Sequence, residues 1–195
     1  MSVTPEQYQK NLKSFQQEIA NLILNAPFAA STDLMGKIVK RIFNNGLATD
    51  ESDIGRYAIG KRQTFLTNKV RGVLNKRQLG ELKKEEFLST NKKGDVEGIS
   101  YIALRNLAGR RIDKVDLQFT GALFESIKNG IGSEEGTAII GFNNSEESKI
   151  ARYNEKHFKK EIFKPSTTEQ EEAKQFMIDF IREGIKDKAK SILNG

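Results

Sequence analysis

The stretch Pro165-Ser166-Thr167-Thr168-Glu169 fixes a helix start to within a residue or two. A serine followed three residues later by a glutamate is a capping box, in which two side chains satisfy N–H groups that the first helical turn leaves unpaired. From there Ala173, Phe176, Met177, Phe180, Ile181, Ile185 and Ala189 recur at three- and four-residue steps as far as Ile192-Leu193. The spacing predicts one long amphipathic helix from about Thr167, and its apolar stripe has to lie against something. At 195 residues the chain is long enough to supply that surface itself, as one domain or as one domain with a helical arm.

The other end of the chain repeats the pattern. Pro5 follows Thr4 at a position suited to a first helical turn, and Tyr8, Leu12, Phe15, Ile19 and Leu22 keep a helical period up to Asn25-Ala26-Pro27. The proline predicts a break. A second helix is expected from about Thr32, using Leu34, Met35, Ile38, Val39, Ile42 and Phe43, with Asn44-Asn45-Gly46 as its left-handed cap.

Charge separates the middle of the chain from the rest. Between Arg56 and Lys93 eleven Lys/Arg stand against three acids, an excess larger than the net +6 of the whole protein. Such a segment attracts nucleic acid or an acidic protein surface, and the plainer alternative is a solvated helix face. The contact residues expected here are Arg62, Lys69, Arg71, Lys76 and Arg77, with Tyr57 and Phe65 as interleaved rings able to stack. Gly72 and Gly80 argue against one long helix. Residues 89–98 read as a glycine-punctuated loop, and residues 100–107 as a short helix ended by Gly109. No zinc finger, helix-turn-helix or RNA-binding signature accompanies the charge.

After that segment the period changes. Val115, Leu117 and Phe119 alternate as in a half-buried strand from Asp113 to Phe119, and Thr120-Gly121 interrupts it. Residues 122–130 then read as a turn or two of helix ended by Asn129-Gly130, and Thr137–Phe142 as a buried strand. The predicted fold class is α+β: a small antiparallel or mixed sheet packed by the long C-terminal helix, with two N-terminal helices and a basic helical or loop central segment. Its parts are a helical arm over 1–50, the basic segment over 51–110 and an α+β module over 111–195.

The residue inventory excludes most catalytic chemistry. With no cysteine there is no thiolate nucleophile, disulfide or Cys-ligated zinc, and His157 is the only histidine, with no nucleophile-elbow serine to serve. Phosphate-loop and dinucleotide fingerprints are missing, and the acids are not set at metal-ligand spacing. No enzyme, cofactor or metal is expected. The first residues lack the basic start and apolar run of a secretory signal, and no stretch approaches the roughly 20 apolar residues that cross a bilayer. A hydrophobic fraction of 37%, 30% charged residues and a mean hydropathy of −0.55 suit a protein whose surface is partly covered by neighbours.

From Val115 onward the order of these pieces resembles the tail-completion and virion-morphogenesis proteins of tailed bacteriophages, a family of small head-to-tail joining components. The resemblance is carried by a strand entering Thr120-Gly121-Ala122-Leu123-Phe124-Glu125-Ser126-Ile127 and by the glycine-containing strand from Thr137 to Phe142. It continues through Ala151-Arg152-Tyr153-Asn154-Glu155-Lys156-His157 and the approach Ile162-Phe163-Lys164-Pro165 to the last helix. The family's approach is richer in arginine and proline, and the first two helices and basic segment have no counterpart in it. The resemblance implies a structural virion component, a connector, neck or tail-completion subunit forming a homo-oligomeric ring around the DNA channel. Its neighbours would be portal, neck or tail proteins and packaged DNA, with no membrane contact. Thr120, Gly121, Leu123 and Ile127 would shape the turn at the interface, and central Lys/Arg would face DNA or an acidic neighbouring ring. The alternative is a DNA-binding accessory protein using the basic segment.

Overall fold

The computed structural model describes residues 4–57, 72–84, 89–90, 96–97, 101–118 and 120–194, and their fold is α+β. The helices are α1 (Pro5–Val39), α2 (Lys76–Lys84), α3 (Tyr101–Leu107), α4 (Ala122–Ser126), α5 (Ser145–Phe158) and α6 (Thr167–Asn194). The strands β1 (Ser89–Thr90) and β2 (Val96–Glu97) form one antiparallel pair, and β3 (Ile127–Ile131) and β4 (Ala138–Phe142) another. The first pair falls inside the stretch read as a loop, whose other residues lie outside the described set.

The chain divides into two compact units. Unit 1 comprises Met1–Ile38, Ile127–Asn143 and Pro165–Gly195, and unit 2 comprises Val39–Ser126 and Asn144–Lys164. The backbone therefore passes from one unit to the other four times.

In unit 1, α1 and α6 run antiparallel. Glu18 pairs with Lys188 at 3.0 Å and Lys37 with Glu172 at 2.7 Å, so positions rise along one helix as they fall along the other. The hairpin is tied to α1 by Asn129, whose Nδ2 donates to Thr32 Oγ1 at 2.7 Å and to Ser31 Oγ at 3.2 Å. The expected break at Pro27 does not occur, because α1 continues through it. An internal proline costs a helix ~3 kcal/mol, and here the chain is held on both sides of it. Leu22 packs at Gly184 before the proline, and Ser31 and Thr32 receive Asn129 after it. Capping at the start of α6 is as the sequence predicts: Ser166 Oγ accepts from the Glu169 N–H at 3.1 Å, and Glu169 Oε2 accepts from the Ser166 N–H at 2.8 Å.

In unit 2 a π-helical segment (Lys40–Asn45) ends at Gly46, whose φ of 69° is the predicted left-handed cap. It carries Arg41 inward, where Nη1 donates to the Leu47 and Ile162 carbonyls, both at 3.1 Å, and Nη2 to the Lys164 carbonyl at 2.7 Å. Thr49 Oγ1 donates to the same Lys164 carbonyl at 3.0 Å, and Glu155 Oε1 accepts from the Ile162 N–H at 2.9 Å. The link from α5 to α6 is thus held through its backbone by one guanidinium, one hydroxyl and one carboxylate. Helix α5 lies outside the elements expected above, though its signal is local: Asn144 Oδ1 caps the Glu146 N–H at 2.8 Å, with Glu146 and Glu147 in the first turn.

Three strand and helix expectations are corrected. Among the described residues 113–118 there is no strand, and adjacent Val115 and Asp116 are both buried, which no half-buried strand permits. The Asp116 carboxylate is drawn inward by Arg105 and Tyr57, and Leu117 takes a positive φ of 53°. Phe119 lies outside the described residues. The helix after Gly121 stops at Ser126 instead of running to Asn129-Gly130, because Ile127 pairs with Phe142 and opens β3. Strand β4 exists as predicted but is not buried. A two-stranded sheet covers one face at most, and Ile139 is 61% exposed on the other.

Candidate functional site

The register of the β3–β4 hairpin sorts its side chains. Ile127, Asn129 and Ile131 share a face with Phe142, Ile140 and Ala138, while Lys128 and Gly130 oppose Gly141 and Ile139 on the other. On that second face two glycines leave the backbone low and open; a Cβ on Gly141 would meet nothing within 4 Å. Glycine inside a strand marks a place where another backbone can approach closely. Ile139 stands there, and Ile131 closes the first face at 76% exposure.

This exposure belongs to a wider imbalance. Among the described residues, unit 1 contributes four of the fifteen buried hydrophobics, Ala26, Ala30, Ile38 and Ile127, two of them alanine. The same unit holds nine of the thirteen exposed large hydrophobics, including Tyr8, Leu12, Ile23, Phe28 and Ile178. Apolar side chains in contact with water lose the free energy that burial would supply.

Unit 2 is built the other way, around a buried ionic cluster. Arg105 is fully buried; its Nη2 donates to Asp116 Oδ1 at 2.7 Å and its Nε to the Arg111 carbonyl at 2.7 Å. Tyr57 donates its hydroxyl to Asp116 Oδ1 at 2.8 Å and accepts the Asp116 N–H at 3.0 Å. The guanidinium carbon lies 4.3 Å from the Tyr57 ring centre and 5.9 Å from that of Tyr101, and the two rings meet edge to face. Nη1 finds no hydrogen-bond acceptor among the described residues. Burial pushes the ionisation of both Tyr57 and Tyr101 upward, partly opposed by Arg105. A neutral tyrosine, a carboxylate whose Oδ1 accepts from both Tyr57 and Arg105, and a cation out of reach of solvent form a pin that locks residues 57, 101–105 and 116 together. No sequence motif signals this cluster.

The residues expected from the sequence fall apart spatially. Arg62, Lys69 and Arg71 lie outside the described residues. Lys76 and Arg77 open α2 on the surface, and Arg77 Nε is engaged by Glu81 Oε1 at 3.0 Å. Thr120 and Gly121 form the turn before α4: Thr120 Oγ1 accepts from the Ala122 N–H at 3.4 Å, and Gly121 has a φ of 85°. Leu123 and Ile127 are buried. His157 stacks on Tyr153 at 6.0 Å with the rings 14° apart. No cluster of metal-binding side chains occurs among the described residues, and none of their helices is long and apolar enough to cross a membrane. Comparison of the chain with protein-family models, curated proteins and solved structures gave no match.

Proposed function

We propose that this chain is a non-enzymatic assembly subunit whose unit 1 is completed by neighbouring copies. Following the resemblance of its C-terminal pattern, its proposed place is the head-to-tail junction of a tailed phage, as a connector, neck or tail-completion subunit in a ring around the DNA channel. The observation that carries the reading is the inverted apolar distribution of unit 1, with Ile131 and Ile139 exposed on a two-stranded sheet. A strand edge and an open apolar face are what a heterologous ring contact uses, since the same two patches meet at every interface until the ring closes. The described residues 113–118, which would lead into Thr120 as a strand in the resemblance, form none, so the support comes from the hairpin and α6.

Native mass measurement of the full-length protein is the test. A discrete higher oligomer that dissociates in the Ile131→Lys/Ile139→Lys double variant is expected. A protein that stays monomeric at high micromolar concentration, with the variant indistinguishable from it, removes the proposal.

A second reading, nucleic-acid contact by unit 2, is favoured by charge. Unit 1 has nine Lys/Arg against eleven Asp/Glu, so unit 2 holds the entire positive excess. The two readings are compatible, because a ring subunit can present one unit to its copies and the other to a strand of DNA.

A further inference from the structure

We infer that the exposed face of α5 is a contact surface for single-stranded nucleic acid. The inference rests on the nucleic-acid reading of unit 2 and moves the contact from the segment around Arg62 to Arg77 onto a different element.

Helix α5 turns Glu147 and Ala151 inward. At 100° per residue, Lys149, Ile150, Arg152, Tyr153, Lys156 and His157 occupy the opposite arc, spanning about 160°. All six are exposed. Lys149, Arg152 and Lys156 are not paired with any carboxylate among the described residues, whereas Arg77, Arg105, Arg111, Lys164 and Arg182 each are. The acid on the same arc, Glu146, sits in the first turn, at the positive end of the helix dipole. Three cations within eight residues of one helix, with no carboxylate partner among the described residues, repel one another, and a polyanion relieves that repulsion while releasing its own counterions.

The rings decide which polyanion. Tyr153 is 67% exposed and lies parallel to His157, which is braced edge-on by Phe158 at 4.8 Å. Phe158 in turn packs over Gly55, where an added Cβ would fall 3.0 Å from its ring. The platform is therefore fixed from below and open above. A flat aromatic face between cations fits an unpaired base beside its phosphates, because every base has a π-face and every linkage a charge. A stacked duplex offers no free base to it, and an acidic peptide offers charge without the ring.

The test uses the full-length protein and fluorescent oligothymidylate, a duplex of equal length, and polyglutamate as competitor. Binding of the single strand that weakens steeply with salt is expected. The Lys149→Gln/Arg152→Gln/Lys156→Gln variant should lose affinity at least tenfold with a shallower salt slope. Tyr153→Ala should lose about tenfold for the single strand and little for the duplex. The Lys76→Gln/Arg77→Gln variant tests the other placement of the contact, on α2, and should lose clearly less affinity than the α5 variant. A wild-type protein that binds no oligonucleotide overturns the nucleic-acid reading and this inference together. If binding is undiminished in the α5 variant but lost in the α2 variant, the inference alone fails. Displacement of the oligonucleotide by polyglutamate at equal charge, or no effect of Tyr153→Ala, also overturns it, in favour of an acidic protein surface.

Discussion

Gly184 on α6 faces Leu22 on α1 so closely that a Cβ added to the glycine would lie 2.5 Å from one Leu22 methyl and 2.7 Å from the other. The antiparallel helix pair closes to that distance because position 184 carries no side chain. Gly184→Ala improves local helix propensity by about 0.8–1.0 kcal/mol, yet the overlap must be relieved by moving Leu22. We expect a net loss of about 1–3 kcal/mol, as in other overpacked sites, reversed in part by Leu22→Ala in the same chain. Urea unfolding of the two single variants and the double variant measures it.

Arg105 and Asp116 form an ion pair that neither partner can leave alone. Arg105→Met strands a buried carboxylate, and a loss of about 3–5 kcal/mol is expected. Exchanging both members, as Arg105→Met/Asp116→Asn, should recover part of that loss, since the desolvated charge is removed with its partner. Equal stability of the single variant and the native protein would show that the cluster is incidental to folding.

Tyr57 ties stability to alkaline pH. Its folded-state ionisation lies above the ordinary value of 10.0 because burial disfavours the phenolate, and Tyr101 is displaced in the same direction. A raised value means that the folded state keeps the proton after the unfolded chain has lost it. The associated stability is complete below about pH 10 and is lost above it, by up to about 1.4 kcal/mol per pH unit for each such group. Chemical denaturation between neutral pH and pH 11 should show the decline, and Tyr57→Phe should make it shallower while losing the hydrogen bonds to Asp116.

Gly46 is needed for two separate reasons. Its φ of 69° is unfavourable for a residue with a side chain, and a Cβ there would come within 2.9 Å of the Val115 carbonyl oxygen. Backbone cannot step aside as a side-chain tip can. Gly46→Ala is expected to cost at least about 2 kcal/mol, with Gly36→Ala, where a Cβ meets nothing within 4 Å, as the mild control. Thermal melts of the two variants separate these outcomes.

Signals that act over a few residues were readable in the sequence. Ser166 and Glu169 announce α6, Gly46 and Gly109 end their elements, and Ala138 to Phe142, within the stretch expected from Thr137, pairs as a strand. What failed was set by distant partners. Pro27 stays helical with help from Asn129 and Gly184, and Asp116 sits in an apparent strand pattern until Tyr57 and Arg105 pull it inward. The exposure of Ile139 could not be read either, because it depends on how many strands the sheet has and not on β4 itself. Of the expected contact residues, Lys76 and Arg77 do reach the surface, while the grouping of Lys149, Arg152 and Lys156 on one exposed arc is hidden in the linear count by Glu146, Glu147 and Glu155.

The four passages of the backbone between the units have a hereditary consequence. Unit 1 is stitched from three stretches of chain and unit 2 from two, so neither corresponds to one uninterrupted piece of gene. A single crossover that delivers all of unit 2 carries part of unit 1 with it, and none delivers unit 1 whole without unit 2. The acidic, apolar-faced unit and the basic one are therefore bound to travel and to diverge as a pair.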